Sequence, residues 1–298
     1  MKRFKGSSPF HMMLLPAAIV TFIFAYVPMA GIIMAFMDYK PWLGFTKSAW
    51  IGLDHFRYMF ERPDSKQVMV NTVVIAALKI GFGLVVPVFF ALLLNEIRKL
   101  VFKRTIQTLV YFPYFMSWVI LGGILVDMLS PEGGLINRLF SELFGMKPIF
   151  FLGNGDWFRF TVVASDTWKE FGFSAIVYLA ALAGVNPSLY EAAVIDGANR
   201  WKQTLSITLP SLVPILVVMS TLSLGNILNA GFDQIFNLYN PLVYSKGDII
   251  DTFVYRMAIL NGEMGFGAAV GLLKSVISFI LIVLTYRLAY KLANYRIF

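Results

Sequence analysis

Apolar positions along this chain gather into long unbroken runs and not into short amphipathic periods. Positions 12–37 pass without a charge for 26 residues, about 39 Å of helix and more than the roughly 20 apolar residues a bilayer requires. Similar runs follow. Positions 67–94 are interrupted by Lys79, and 105–129 carry Asp127 near their end. Positions 160–184 are the weakest run, with Asp166, Lys169 and Glu170 in the first half. Positions 209–230 are uncharged, and 265–286 contain Lys274. The pattern predicts an all-α polytopic membrane protein, six transmembrane helices in a single domain over 1–298. The first run has no small-residue cleavage site and reads as a retained span. Its Pro16 and Pro28 are tolerable in a membrane helix. No internal repeat or pair of inverted halves is visible, which weighs against a secondary transporter.

The polar segments between runs set orientation. With the N-terminus inside, segments 1–10, 95–104, 185–208 and 287–298 hold 12 Lys+Arg and 3 acids in 56 residues. The opposite loops, 38–66, 130–159 and 231–264, hold 10 Lys+Arg and 11 acids in 93 residues. Basic residues are therefore denser inside, as the positive-inside rule requires. Both termini and the 185–208 loop are expected on the cytoplasmic side.

That loop has its own pattern. Asn186-Pro187-Ser188 is a helix start, with two open readings. Either Asn186 caps with Pro187 at the first position, or Ser188 caps with Glu191 three residues on. A short helix over 189–196 is expected to end at Gly197, where glycine accepts the left-handed conformation. A second short helix, about 199–206, leads to Leu209-Pro210, where the fifth span begins. Small Ala192, Ala193 and Ala198 keep the surface shallow, and Tyr190, Val194, Ile195 and Trp201 make it apolar. A connector that merely turns the chain accounts for Glu191 as a capping residue. An apolar knob rimmed by charge accounts for the whole stretch as a docking site.

Composition narrows the function. Hydrophobic residues make up 58% and charged residues 14%, with no cysteine. Disulfide and thiolate chemistry are therefore excluded. His11 and His55 are far apart and fit no metal spacing. No Gly-Lys dipeptide occurs, so there is no P-loop for ATP. The net charge of +8 resides in short segments between spans, which argues against nucleic acid as a partner. No nucleophile–base pair suggests an enzyme.

The stretch "EAAVIDGA" followed by "ITLP" resembles the EAA motif of binding-protein-dependent ABC importer permeases. Glu191, Ala192, Ala193, Asp196, Gly197, Ala198, Ile207, Leu209 and Pro210 carry the match. "ALLLNEIRKLVFKRTIQTLVYFPYFMSWVI", "LSPEGGLINRLF", "WKEFGFSAIVYLAALAGVNPSLYEAA" and "GFDQIFNLYNPLVY" are similar to LplB-type polysaccharide permeases within the maltose-type group. The resemblance implies a type I importer fold in a bacterial cytoplasmic membrane. It implies assembly with a second permease, two ATPase subunits and an extracytoplasmic solute-binding protein, with a carbohydrate as cargo. ATP and magnesium then belong to the partners, and this chain carries no cofactor. The EAA helix would seat in a cleft of one ATPase and transmit its closure to the membrane pathway.

Charges within spans cost about 2.5–3.5 kcal/mol each at mid-helix and usually face a bundle interior or wet cavity. Lys79, Lys169 and Lys274 balance Asp127, Asp166 and Glu170. Structural pairing and a transport pathway are both open; Asp166 and Lys169 can neutralise each other at i,i+3. Lys274, near mid-span, is the leading pathway residue. Trp118, Trp168, Asn226, Asn229 and Glu170 have the chemistry to bind sugars. The tryptophans fit interfacial anchoring equally well, and the asparagines fit bonds between helices. "PEGG" at 131–134 and "NLYNP" at 237–241 are either contacts for the binding protein or ordinary turns. An ion-coupled secondary transporter using Asp127, Asp166 or Glu170 is the rival reading.

Overall fold

The computed structural model describes residues 8–293. Residues 1–7 and 294–298 of the terminal segments in the orientation argument lie outside them. Among the described residues four helices are long and apolar enough to cross a bilayer, and the spans number six when each of two bent helix pairs counts as one. The described residues pack as two compact units, one of those up to 62 with 254–275, the other of 63–253 with those from 276 on.

In the first unit, α1 (Phe10–Phe36) is exposed along almost its whole length, as expected of a helix whose apolar surface faces lipid. Only near its end does it meet protein, where Ala35 is buried. Met37–Asp38 then pairs antiparallel with Ala49–Trp50. Helix α2 (Asp54–Glu61) follows and buries Met59. Phe36 stacks on Trp50 at 5.8 Å and meets Phe56 at 5.7 Å.

The second unit is organised on two long helices, α3 (Pro63–Glu96) and α7 (Gly155–Ala183). Two apolar cores flank them. One contains Ile75, Phe158, Val162, Ile235 and Ile249. The other contains Ala91, Ala175, Tyr178 and Leu212. Helix α7 begins five residues before the expected 160, because the Asn154 side chain accepts from the amides of Asp156 (3.0 Å) and Trp157 (3.3 Å). Such caps satisfy amides that have no partner within the helix.

The third span is not the single helix expected over 105–129. It is α4 (Leu100–Phe115) and α5 (Trp118–Leu129), bent by 101°. Pro113 tightens the end of α4, and Ser117 caps α5 by accepting from Ile120 N at 3.3 Å. Proline removes a ladder donor, and the serine restarts the helix in a new direction. Helix α4 lies close against α7 at Gly172, where a Cβ would come within 2.5 Å of Val110 O.

The 130–154 segment is held by a buried side chain. Asn137, on α6 (Leu135–Phe144), donates to the carbonyls of Leu129, Ser130 and Ile149 and accepts from Ile149 N at 2.8 Å. Helix α8 (Pro187–Ile195) leaves α7 at 70°. The expected second short helix near 199–206 is not separate from the fifth span. It is the start of α9 (Arg200–Gly225), which runs on through Pro210. Helix α9 ends five residues before the expected 230. Helix α10 (Phe232–Leu238), short helical turns over 241–260 and α11 (Met264–Ala293) follow.

Candidate functional site

A polar cavity of about 400 Å³ opens within the second unit, among α3, α7 and the end of α9. Lys79 reaches it from α3. Its Nζ lies 3.0 Å from Asp166 Oδ1 of α7 and donates to Ala230 O at 2.8 Å and to Gln234 Oε1. Gln234 is fully buried and donates to Val162 O and Ser165 Oγ, both at 2.8 Å. Lys79 therefore ties α3 to three other chain segments. Gly231 makes room for it. Its φ is +95°, and a Cβ there would sit 2.7 Å from Lys79 Nζ.

Asp166 thus pairs with Lys79 and not with Lys169, as the i,i+3 spacing had suggested. Lys169 lies 3.3 Å from Glu170 Oε1, donates to Tyr114 O at 2.9 Å, and sits over the rings of Tyr114 (5.1 Å) and Trp118 (5.6 Å). Glu170 lines the cavity. Asn226 and Asn229 line it too, but from the turns that follow α9 and not from a membrane helix. Their bonds are local. Asn226 donates to Leu222 O at 3.1 Å, and Asn229 donates to Asn226 Oδ1 at 3.3 Å.

Three of the expected pathway residues lie elsewhere. Trp118 stands beside Lys169 at the start of α5. Trp168 borders a separate apolar cavity with Phe160 and Leu125. Lys274 is half-buried on α11, in the part belonging to the first unit. Asp127 is exposed on α5. Lys79 and Asp166 were legible as charges inside spans, but not as partners. Gln234 gave no signal, because it sits in a stretch that reads as an outer loop.

The second feature is α8. Asn186 caps it, accepting from Ser188 N at 3.0 Å, with Pro187 at the first position. Of the two helix starts, this is the one formed, so the cap does not require Glu191. The helix closes at Gly197, φ +74°, with Ala198 N donating to Ala193 O at 2.8 Å. Asn199 then caps α9, accepting from Lys202 N at 2.9 Å. Tyr190 and Thr208 hydroxyls meet at 3.0 Å, and Arg200 pairs with Glu96 at the end of α3. Glu191, Ala192, Asp196 and Gly197 are exposed, and Ala193, Ala198, Ile207 and Leu209 are half-buried. Leu209 packs against the core that contains Leu212, while Pro210 is exposed on α9. Ile195 is 86% exposed and Trp201 70%. The result is a shallow apolar knob with Glu191, Asp196, Arg200 and Lys202 around it.

Residues 83–294 match the family described as binding-protein-dependent transport system inner membrane component. The chain is 44% identical over 272 residues to Protein LplB of Bacillus subtilis (strain 168), covering 91% of this chain and 85% of that one. It is 42% identical over 288 residues to the polygalacturonan/rhamnogalacturonan transport system permease protein YteP of the same organism, covering 97% and 89%. Among solved structures it is similar to a chain of a bacterial ABC transporter involved in the import of the acidic polysaccharide alginate. There the TM-score is 0.90 at 36% identity, over 98% of each chain. A second structure of a bacterial alginate ABC transporter, in complex with an alginate pentasaccharide-bound periplasmic protein, gives 0.89 at 36% identity, over 97% and 96%.

Proposed function

Because the chain belongs to the family of binding-protein-dependent transport system inner membrane components, we propose that it is the permease through which an ABC importer moves an oligo- or polysaccharide across the cytoplasmic membrane. One observation carries this reading. Helix α8 is slung between two spans that both reach the polar cavity. Helix α7 places Asp166 and Glu170 on the cavity and bends into α8. Helix α9 returns from the Gly197 turn and ends beside Asn226 on the same cavity. A displacement of α8 acts on two cavity walls at once.

The exposed knob on α8 is the surface an ATPase subunit would grip. Its apolar centre supplies contact area, and Glu191 supplies a charge for a basic partner. Closure of two ATPase subunits around ATP and magnesium, neither held by this chain, shifts the permease between inward- and outward-facing states. That shift requires ATP to bind one state better than the other. A second permease completes the pathway. An extracytoplasmic binding protein delivers the sugar, a reading supported by the alginate transporter captured with its loaded periplasmic protein. The basic-residue bias supports cytoplasmic termini and a cytoplasmic α8. The cavity's carboxylates, amides and ammonium suit sugar hydroxyls, which both donate and accept. The ion-coupled alternative loses its sites, since Asp166 and Glu170 are engaged by lysines and Asp127 is exposed.

The test is uptake into vesicles holding this chain, a second permease and two ATPases, with loaded binding protein outside. Oligogalacturonide uptake is expected to require ATP and to persist when ionophores collapse ion gradients. Uptake driven by an ion gradient without ATP would overturn the proposal.

A further inference from the structure

We propose that the first unit carries a second saccharide subsite, outside the polar cavity, which holds one pyranose ring against Trp42. A pocket of about 370 Å³ lies there, at the lower end of the range for small-molecule sites, with Tyr39, Trp42 and Tyr58 as its aromatic walls. Asp38, Lys40, His55 and Glu263 supply its polar groups.

The pocket is built and not incidental. The Asp38–Ala49 pairing fixes one side. Ser48 Oγ accepts from Lys40 N at 3.2 Å and donates to Gly44 O at 2.7 Å, holding the intervening loop. His55 Nε2 lies 3.0 Å from Met37 O. A carbonyl only accepts, so Nε2 carries the hydrogen. Gly265 lets the start of α11 close the floor. A Cβ there would stand 2.5 Å from His55 Nε2 and 2.6 Å from Met37 O. Tyr58 is set edge-on to Phe266 at 5.6 Å, and its hydroxyl accepts from Arg62 at 2.9 Å. Tyr39 leans on Phe45 at 4.9 Å. Against these fixed walls Trp42 is 78% exposed, a broad aromatic face at the pocket edge.

The chemistry selects the ligand. A pyranose has an apolar C–H face, which suits an indole, and a rim of hydroxyls. Asp38 and Lys40 are 3.3 Å apart with both side chains about half exposed. The pair can accept from one hydroxyl and donate to another, and Glu263 offers a second acceptor. An acyl chain would cover the Asp38–Lys40 pair and Glu263 without offering either a hydrogen bond, which is costly. The subsite rests on the proposed sugar-importer reading, in which the 38–66 and 231–264 loops face outside. It would hold one residue of the arriving glycan.

The experiment is saturation-transfer NMR on the assembled importer in nanodiscs, without binding protein. The probes are alginate pentasaccharide, trigalacturonate and maltopentaose. Transfer to the ring protons of at least one probe is expected. Trp42→Ala should lower it at least fivefold, and Trp42→Phe should retain at least half. The Asn226→Ala/Asn229→Ala double variant should leave the Trp42-dependent part in place. No transfer from any probe, or equal transfer in Trp42→Ala, overturns the subsite. Vesicle uptake by the wild type separates the two proposals. Uptake with Trp42-independent binding removes the subsite and leaves the transport reading. Trp42-dependent binding of a probe that is never imported keeps the subsite and removes the transport reading for that sugar.

Discussion

Lys79→Met tests the polar network where its energetics are clearest. The lysine side chain is 10% exposed and Asp166 24%. Breaking a buried ion pair by removing one partner typically costs about 3–5 kcal/mol. Asp166 lines the polar cavity and is partly exposed, so its share sits near the low end, about 3 kcal/mol. Gln234 Oε1 also loses the donor Lys79, and stranding a buried acceptor adds about 1–3 kcal/mol. The sum is at least 4 kcal/mol, or a fall in melting temperature of about 8–16 °C for a unit of this size. Thermal unfolding in nanodiscs, followed by loss of monodisperse protein, measures it. The double variant Lys79→Met/Asp166→Leu removes the stranded charge but not the stranded amide oxygen. It should recover about 3 kcal/mol and remain somewhat below wild type. A single variant that melts like wild type would show that the pair does not stabilise the fold. A double variant no better than the single would show that the charge is not the cause.

Further outcomes follow from the other residues. Ser188→Cys, in a chain without native cysteine, should react with an impermeant thiol reagent only after the membrane is opened; labelling in intact cells would reverse the topology. Lys274 does not line the polar cavity, so Lys274→Ala should leave sugar-stimulated uptake near wild type, and a marked fall with ATPase co-purification intact would return Lys274 to the pathway. At Gly197, φ is +74° with no atom within 4 Å of an added Cβ, so only backbone strain opposes substitution. About 1–2 kcal/mol shifts the closing of this turn by roughly 5–30-fold in Gly197→Ala, read as faster amide exchange at Ala198, whose N–H bonds Ala193 O. Gly197→Asn, which tolerates that conformation, should stay near wild type; equal losses in both would refute the strain argument.

The sequence made the six spans legible because facing lipid demands only composition and length. It also made the α8 turn legible, because Asn186, Pro187 and Gly197 act through local backbone chemistry. The break between α4 and α5 stayed hidden, since Pro113 in a membrane segment fits a straight, kinked or broken helix alike. The end of α9 was placed five residues late because 226–230 remain uncharged while the backbone turns. Intramembrane charges were visible, but their partners are a tertiary fact. Lys79 finds Asp166 only once α3 lies along α7, and Gln234 joins them from α10. The weakness of the fourth span in hydropathy has the same origin. Helix α7 is less apolar because it forms a wall of the polar cavity. The pocket around Trp42 was not legible at all, being assembled from two loops distant in sequence.

Glu191→Gln separates the two roles the sequence allowed for this residue. The capping role has no place in the structure, because Asn186 already supplies the cap. Replacing the carboxylate by an amide should therefore leave α8, insertion and sugar binding as they are. What changes is the exposed charge at the knob. Truncating one partner of a hydrogen-bonded charge pair at an interface costs about 2–5 kcal/mol, and the low end is roughly a 30-fold loss of coupling. The loss should appear as sugar-stimulated ATPase activity and uptake falling together in reconstituted vesicles. Melting temperature and assembly with the second permease should not move. Because α8 joins two cavity walls directly, a weakened grip there reaches the transport path without any change in the cavity's own residues. Normal coupling in the Gln variant would mean that the ATPase holds α8 by its apolar surface alone, and that Glu191 is not part of the transmission.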